Sequence, residues 1–395
     1  MNERTISEIE FLIDDANVLF GDPDAFGWLI DARPHLDQIA HANGVDRPIV
    51  IGSNPQIFYF TGKEGIFAAS TAIGTVSASH AIAFKPFQTN GGTLTSRVGV
   101  AISFVEAIDF HAAIGRAFRV VEYLGLIIGR PQNVVHLLLR VGSDRSKSPL
   151  EAHLCMRPRR KSSGGLPTPQ SFDILLNAVA QPEDFARVLE CWLARAADWH
   201  DARWRFFNSF ARQRTYDIDR LVGAANMFDI LPSSAAPDLV PITDDLERAQ
   251  KASRELFRAL PPTPERDSIL GALGRIGRSS LKHKVRYRAA RVVELAGEWF
   301  PDLLTVADES VNCRNYYVHG SGSPFDYDRN FNAVIFFTDT LEFVFAASDL
   351  IEAGWDIRSW IRHGTTMSHP FGRYRVGYPI ALKCLKDLWR KPDSV

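Results

Sequence analysis

The sequence predicts an α+β protein of two domains. A β-rich N-terminal domain with an embedded helix spans 1–165, and an all-α helical bundle with a C-terminal tail spans 171–395. Three observations carry that prediction. At 395 residues the chain exceeds what one ordinary core fills. Its apolar residues recur in short β-type runs up to about residue 156 and at helical spacing afterwards. Between the two regimes lies RPRRKSSGGLPTPQ (157–170), whose basic, Ser, Gly and Pro content suits a linker.

The strands come first. IEFLI (9–13), PIVIG (48–52), QIFYF (56–60) and VGVAISFV (98–105) are apolar or β-branched and punctuated by Gly, Asn, Asp and Pro. Over 107–128 the period changes: Phe110, Ile114, Ala117, Val121, Leu124 and Ile128 alternate in steps of four and three, the signature of an amphipathic helix. After the Gly129-Arg130-Pro131 turn, VVHLLLRV (134–141) and AHLCM (152–156) read as closing strands. This domain offers no nameable chemistry. Gly91-Gly92 reads as a turn, and His80, His111 and His136 are too scattered to argue for a metal site.

The helices follow. Pro182, Glu183 and Asp184 suit a helix start, since proline tolerates the first turn and acids face the positive dipole end. Phe185, Val188, Leu189, Trp192, Leu193 and Ala196 form its apolar face. Further helices are predicted over roughly 200–229, 244–260, 265–300, 302–319 and 328–353, the last strongly apolar. Short connections between long helices favour an up-and-down bundle. Residues after about 355 show no clear periodicity.

Composition narrows the functional classes. A net charge of −1 argues against a generic polyanion binder, but the charge is unevenly spread. Residues 1–60 balance to −7, whereas 266–298 and 356–395 each balance to +5. Cys155, Cys191, Cys313 and Cys384 lie far apart, which argues against a zinc site and predicts reduced thiols in cores. No signal peptide or membrane-length apolar run is evident, so a soluble, cytoplasmic protein without membrane contact is expected. There is no GxxxxGK[ST] and no HExxH, so no cofactor and no metal is predicted.

The candidate chemistry lies in Arg314-Asn315-Tyr316-Tyr317-Val318-His319, followed at once by Gly320. Arginine holds phosphate through a planar fork of N–H donors, and imidazole moves protons near neutral pH. The bare spacing is permissive. With 35 arginines and 11 histidines, roughly three matches to Arg-x4–6-His arise by chance. Six occur: Arg130–His136, Arg195–His200, Arg278–His283, Arg314–His319, Arg358–His363 and Arg362–His369. Context selects the fourth, with an amide after the arginine, a glycine after the histidine and an apolar helix soon after. On an ideal helix Asn315 and His319 share a face, about 40° apart, while Arg314 and His319 diverge by about 140°. Convergence then requires a distorted helix end, a wrapped arginine side chain or a composite site across a dimer axis; a distorted end with a second motif nearby is the expectation. The alternative is a helix end where His319 caps carbonyls and Arg314 pairs with Asp308 or Glu309.

RNYYVHG resembles the RNxxxHG form of the motif in HEPN domains, helical bundles that the region 182–355 would match in order and length. The segment FVEAIDFHAAIGRAFRVVEYLGLIIGRPQNVVHLLLRV is similar, less specifically, to the N-terminal domain of ApeA-like anti-phage proteins. Together the two resemblances imply a metal-independent RNA endonuclease of anti-phage defence (abortive infection), leaving 2′,3′-cyclic phosphate ends. They imply a homodimer or higher homo-oligomer with two motifs facing one groove. For the N-terminal domain the expectation is either recognition of a phage-derived trigger or silencing of the nuclease until infection. Carried over by position, His319 would be general base or acid, Arg314 would hold the scissile phosphate, and Asn315 would orient the histidine or phosphate. Family members often carry a glutamate on an early helix, and in RTYDIDRLVGAANMFDIL (214–231) Ala225 or Asn226 stands there instead. Basic runs at 278–291 and 358–375 would track an RNA backbone, with Tyr287, Trp299, Tyr316 and Tyr317 as stacking candidates. The competing function is a non-catalytic RNA-binding or dimerisation module serving as a sensor or partner protein.

Overall fold

A computed structural model describes residues 5–44, 50–88, 91–142, 148–153, 167–213 and 215–390. The chain divides into two compact units, Met1–Ala194 and Arg195–Val395.

The first unit contains eight named strands among the described residues: β1 (Ile6–Ile13), β2 (Phe26–Ile30), β3 (Gln56–Phe60), β4 (Gly65–Thr71), β5 (Gly74–Gln88), β6 (Gly91–Ile108), β7 (Val134–Val141) and β8 (Leu150–Glu151). Six of them form an antiparallel sheet ordered β4-β5-β6-β1-β7-β8, while β2 and β3 pair separately. The register sets Phe11 opposite Val100 and Leu137, and Ile9 opposite Ile102 and Leu139. All six side chains are buried. Period-two alternation thus gives the sheet one apolar face.

Helices α1 (Ala16–Leu19), α2 (Arg33–Ala42), α3 (Phe110–Ile128) and α4 (Pro182–Ala194) complete this unit. The Asp109 carboxylate caps α3 by accepting from the Ala112 N–H at 2.9 Å, and Gly129 closes it in the left-handed region at φ 95°. The helix packs on β1 and β6. Helix α4 lies against β4 and α3, with Phe185 among Phe20, Phe67 and Tyr123 at centroid separations of 6.1, 5.1 and 5.8 Å. Burying such a ring contributes about 1.5–3 kcal/mol, so α4 belongs to the core of this unit.

The β-rich then all-α order stands, with local differences. The described part of PIVIG (50–52) is not strand, nor are Ala152 and His153 of AHLCM; 48–49 and 154–156 lie outside the described residues, as does most of the 157–170 stretch. Strands β4 and β5, rich in Ala and Ser, went unread because small residues give a weak apolar alternation.

The second unit is helical: α5 (His200–Phe210), α6 (Ile218–Asp229), α7 (Asp244–Arg258), α8 (Pro264–Gly274), α9 (Leu281–Ala296), α10 (Leu303–His319), α11 (Phe331–Glu352), α12 (Ile357–Arg362) and α13 (Pro370–Arg390). Two predicted long helices are each two. New N-caps start the second halves: Asp217 accepts from Arg220 N–H at 2.8 Å, and Ser280 from His283 N–H at 3.3 Å. The region after 355, unassigned from sequence, holds α12 and α13, with Pro379 inside the latter.

Helix α11 is the centre of the bundle, buried from Thr340 through Leu350 and touching α5, α6, α9, α10 and α13. Its core is not purely apolar. The Asp349 carboxylate receives a bidentate fork from Arg203 at 2.8 and 2.9 Å and pairs with Arg195 at 2.9 Å. Arg288 pairs with Glu352 at 2.6 Å, and all three guanidiniums stand over the Trp199 ring at 5.0–5.3 Å. Burial favours the neutral acid, but Arg203 and Arg195 outweigh it and hold Asp349 below the ordinary carboxylate range.

Candidate active site

Helices α6, α9 and α10 contact one another pairwise. Helix α10 buries Leu303, Val306, Ala307, Ser310, Val311 and Cys313, and that face anchors it. In the last turns Arg314 continues that face and Asn315 borders it, both half-buried, while His319 is exposed. The helix stays regular to its end. Gly320 donates its N–H to the Tyr316 carbonyl at 2.9 Å and stops the helix at φ 66°.

The expected distortion is therefore absent, because the arginine side chain is long enough to close the divergence. Arg314 Nη1 donates to Asn315 Oδ1 at 3.0 Å and to His319 Nε2 at 3.1 Å. A guanidinium cannot accept, so Nε2 is the acceptor here and a neutral imidazole carries its proton on Nδ1. The structure thus brings together the three residues singled out from sequence.

It also adds a fourth. Arg314 Nη2 donates to Asn226 Oδ1 at 2.9 Å, tying α10 to α6. Of the two residues considered at that position, Ala225 is buried and Asn226 faces the arginine. Sequence located the place but assigned it no role, because no periodicity reveals which side chain crosses to another helix. Asn226 is neutral, and among the described residues Arg314 makes no ion pair. Its charge remains available to a ligand.

Nearby groups set the electrostatics. Desolvation raises the Asp229 carboxyl above its ordinary value, against the pull of Arg314 and Lys284. Lys284 Nζ donates to the Asp229 carbonyl at 3.0 Å, and Lys282 Nζ to Asn312 Oδ1 at 3.3 Å. The acids suggested as alternative partners of Arg314 are otherwise engaged. Asp308 pairs with Arg286 at 2.6 Å, and Glu309 accepts from Tyr327 Oη at 2.5 Å and Asn312 Nδ2 at 3.1 Å.

The stacking candidates are less free than the sequence suggests. Tyr316 and Tyr317 pack on each other at 5.0 Å, and Tyr316 on Tyr327 at 5.2 Å. Tyr317 donates to Asp328 Oδ1 at 2.8 Å, and Tyr287 accepts from Arg291 at 2.9 Å. Trp299 keeps 46% of its surface exposed. Of the described cysteines only Cys313 is buried, where desolvation pushes its thiol far up; Cys191 and Cys384 are exposed, because they fall on outward helix faces.

Members of the other Arg–His pairs have partners of their own. Arg130 forks onto Asp15 while His136 faces Glu151 at 3.1 Å. Arg195 serves Asp349, His283 Nδ1 meets Ser280 at 2.8 Å, and Arg358 donates to the Leu295 carbonyl at 3.0 Å. Buried His369 accepts the Phe371 N–H on Nδ1.

Among the described residues, no group of three or more His, Cys, Asp or Glu is placed to hold a metal, and no helix is long and apolar enough to cross a membrane. Residues 222–358 match the family model described as Apea-like HEPN, and the match includes Asn226, Lys284, Arg314, Asn315 and His319. No curated protein and no solved structure matches the chain.

Proposed function

We propose that the chain is a metal-independent RNA endonuclease of the HEPN type, acting in anti-phage defence through Arg314, Asn315 and His319. The observation that carries this reading is the 3.1 Å contact between a guanidinium with no ion-pair partner among the described residues and an exposed imidazole. The Apea-like HEPN match over the same residues supports it.

An incoming phosphodiester competes for Arg314. Phosphate offers the guanidinium an anionic partner that can take two parallel N–H donors, where His319 Nε2 offers a single neutral acceptor. Guanidinium transferred to the phosphate leaves Nε2 free to take the proton of the ribose 2′-hydroxyl. The 2′-oxygen then bonds to phosphorus and the bond from phosphorus to the 5′-oxygen breaks. A 2′,3′-cyclic phosphate and a 5′-hydroxyl result, the latter having gained a proton from a general acid. One imidazole cannot be base and acid in the same step. A second copy of the motif across a homodimer groove supplies the acid, so dimerisation belongs to the proposal. Arg314 offsets the charge developing on phosphorus oxygens, and Asn226 and Asn315 hold its plane.

The test is cleavage of total RNA by purified wild type and His319→Ala, with EDTA present and end groups analysed. General acid–base catalysis contributes about 10²–10⁴-fold, so cleavage should fall by that range while the melting curve stays unchanged. Cleavage that survives His319→Ala, or that EDTA abolishes, overturns the mechanism. RNA binding without cleavage by the wild type would instead favour a binding or assembly module.

A further inference from the structure

Arg314 alone can grip one phosphate but cannot fix the direction of a strand. The first turns of α9 place more positive charge beside it. Lys284 reaches the C-terminal end of α6, where its ammonium rests on the Asp229 carbonyl at 3.0 Å. Asn226, three residues earlier and on the same face of α6, receives Arg314 at 2.9 Å. Two cations therefore bracket one helical turn. Arg286 on the same helix is neutralised by Asp308, whereas Lys284 makes no ion pair among the described residues. A carbonyl satisfies one donor without cancelling the charge. The Asp229 carboxyl, at the rim of the same turn, interacts electrostatically with both cations. One acid against two bases leaves the turn net positive.

We propose that Lys284 and Arg314 form a two-cation cradle for neighbouring phosphates of a single RNA strand, with Asp229 as the counter-charge in the free protein. This rests on the reading of Arg314 and His319 as an RNA-cleaving site. Arg314 takes the phosphate to be cut, where planar geometry matters. Lys284 takes the next as a point charge, where only position matters. The second contact fixes the register of the strand, so that one ribose 2′-hydroxyl falls at His319. Lys284 is thus a positioning residue, and its loss should raise KM more than it lowers kcat.

The probe is a short mixed-sequence single-stranded RNA with every 2′-hydroxyl methylated, which the proposed reaction cannot cut. Binding is measured on the full chain over about 50–200 mM salt, with cleavage of unmodified RNA followed in parallel. Lys284→Gln should weaken binding about tenfold and lower the salt slope by about one. Lys284→Arg should restore both, and Asp229→Asn should tighten binding. Equal melting curves exclude a folding defect. If the wild type cuts RNA while Lys284→Gln keeps its affinity, slope and KM, the cradle is overturned and the nuclease reading stands. A lowered slope in a protein that cuts no RNA supports the cradle and overturns the nuclease reading. A wild type that does not bind the probe overturns the cradle, and cleavage of the unmodified RNA then decides the nuclease reading separately.

Discussion

Replacing Arg314 by lysine keeps the positive charge and removes the fork. Arg314 now serves three acceptors on two helices, Asn226 at 2.9 Å, Asn315 at 3.0 Å and His319 at 3.1 Å. A lysine ammonium is shorter in reach and, from the same backbone, can satisfy about one of them. Two lost hydrogen bonds at about 0.5–1.5 kcal/mol each give about 1–3 kcal/mol, and the half-exposed setting places the stability cost near the lower end. The catalytic cost differs in kind. One charge-assisted bond to the phosphate is lost in the transition state, about 1.5–3 kcal/mol, or about 10–150-fold in rate. Single-turnover cleavage should therefore rank wild type above Arg314→Lys, and Arg314→Lys above Arg314→Ala. A lysine variant as fast as wild type would refute the reasoning, since a point charge would then suffice. Equal rates for the lysine and alanine variants would refute it from the other side.

Three further outcomes are expected. Asp349→Ala strands buried Arg203 and should cost the bundle about 3–5 kcal/mol in urea denaturation; a cost under about 1 kcal/mol contradicts the account of the core. Burial and the Glu342 charge push the Asp339 carboxyl up to about 7 from 3.8, so the folded state holds a proton the unfolded state releases. That stabilisation is complete below the unfolded value and fades as pH rises through 7. Tm of wild type should consequently fall more steeply than that of Asp339→Asn between about pH 4 and pH 7, and parallel curves over that range would sink the assignment. Gly320 has φ 66° and open space around an added Cβ, so Gly320→Ala should cost only the left-handed backbone penalty. That is about 1–2 kcal/mol, or about 2–8 °C in Tm by calorimetry, and no change in Tm would contradict it.

The helix over 107–128 was legible because its apolar face repeats at one period and a Gly-Arg-Pro turn follows it; in the structure it begins at Phe110, behind the Asp109 cap. Strand β1 was legible over 9–13 as the apolar run IEFLI, whereas its first residues, 6–8, were not. The Ala- and Ser-rich β4–β5 pair was not, since its strand character comes from pairing with β6, a partner distant in sequence. The long predicted helices over 200–229 and 265–300 missed their breaks, where residues without periodic apolarity precede the caps Asp217 and Ser280. Helix α13 went unread because glycine and proline interrupt it, while its buried Tyr374, Tyr378, Leu382 and Leu385 hold it against α11.

The sequence by itself determined the β-then-α order and the string Arg314-Asn315 to His319-Gly320, because both are local: one a period, the other a spacing along a single helix. Tertiary structure alone decided that Asn226 receives Arg314, that Lys284 stands a turn away, and that Asp308 and Glu309 are engaged elsewhere. Those relations join α6, α9 and α10, and no regularity along the chain encodes which side chains meet when three helices pack.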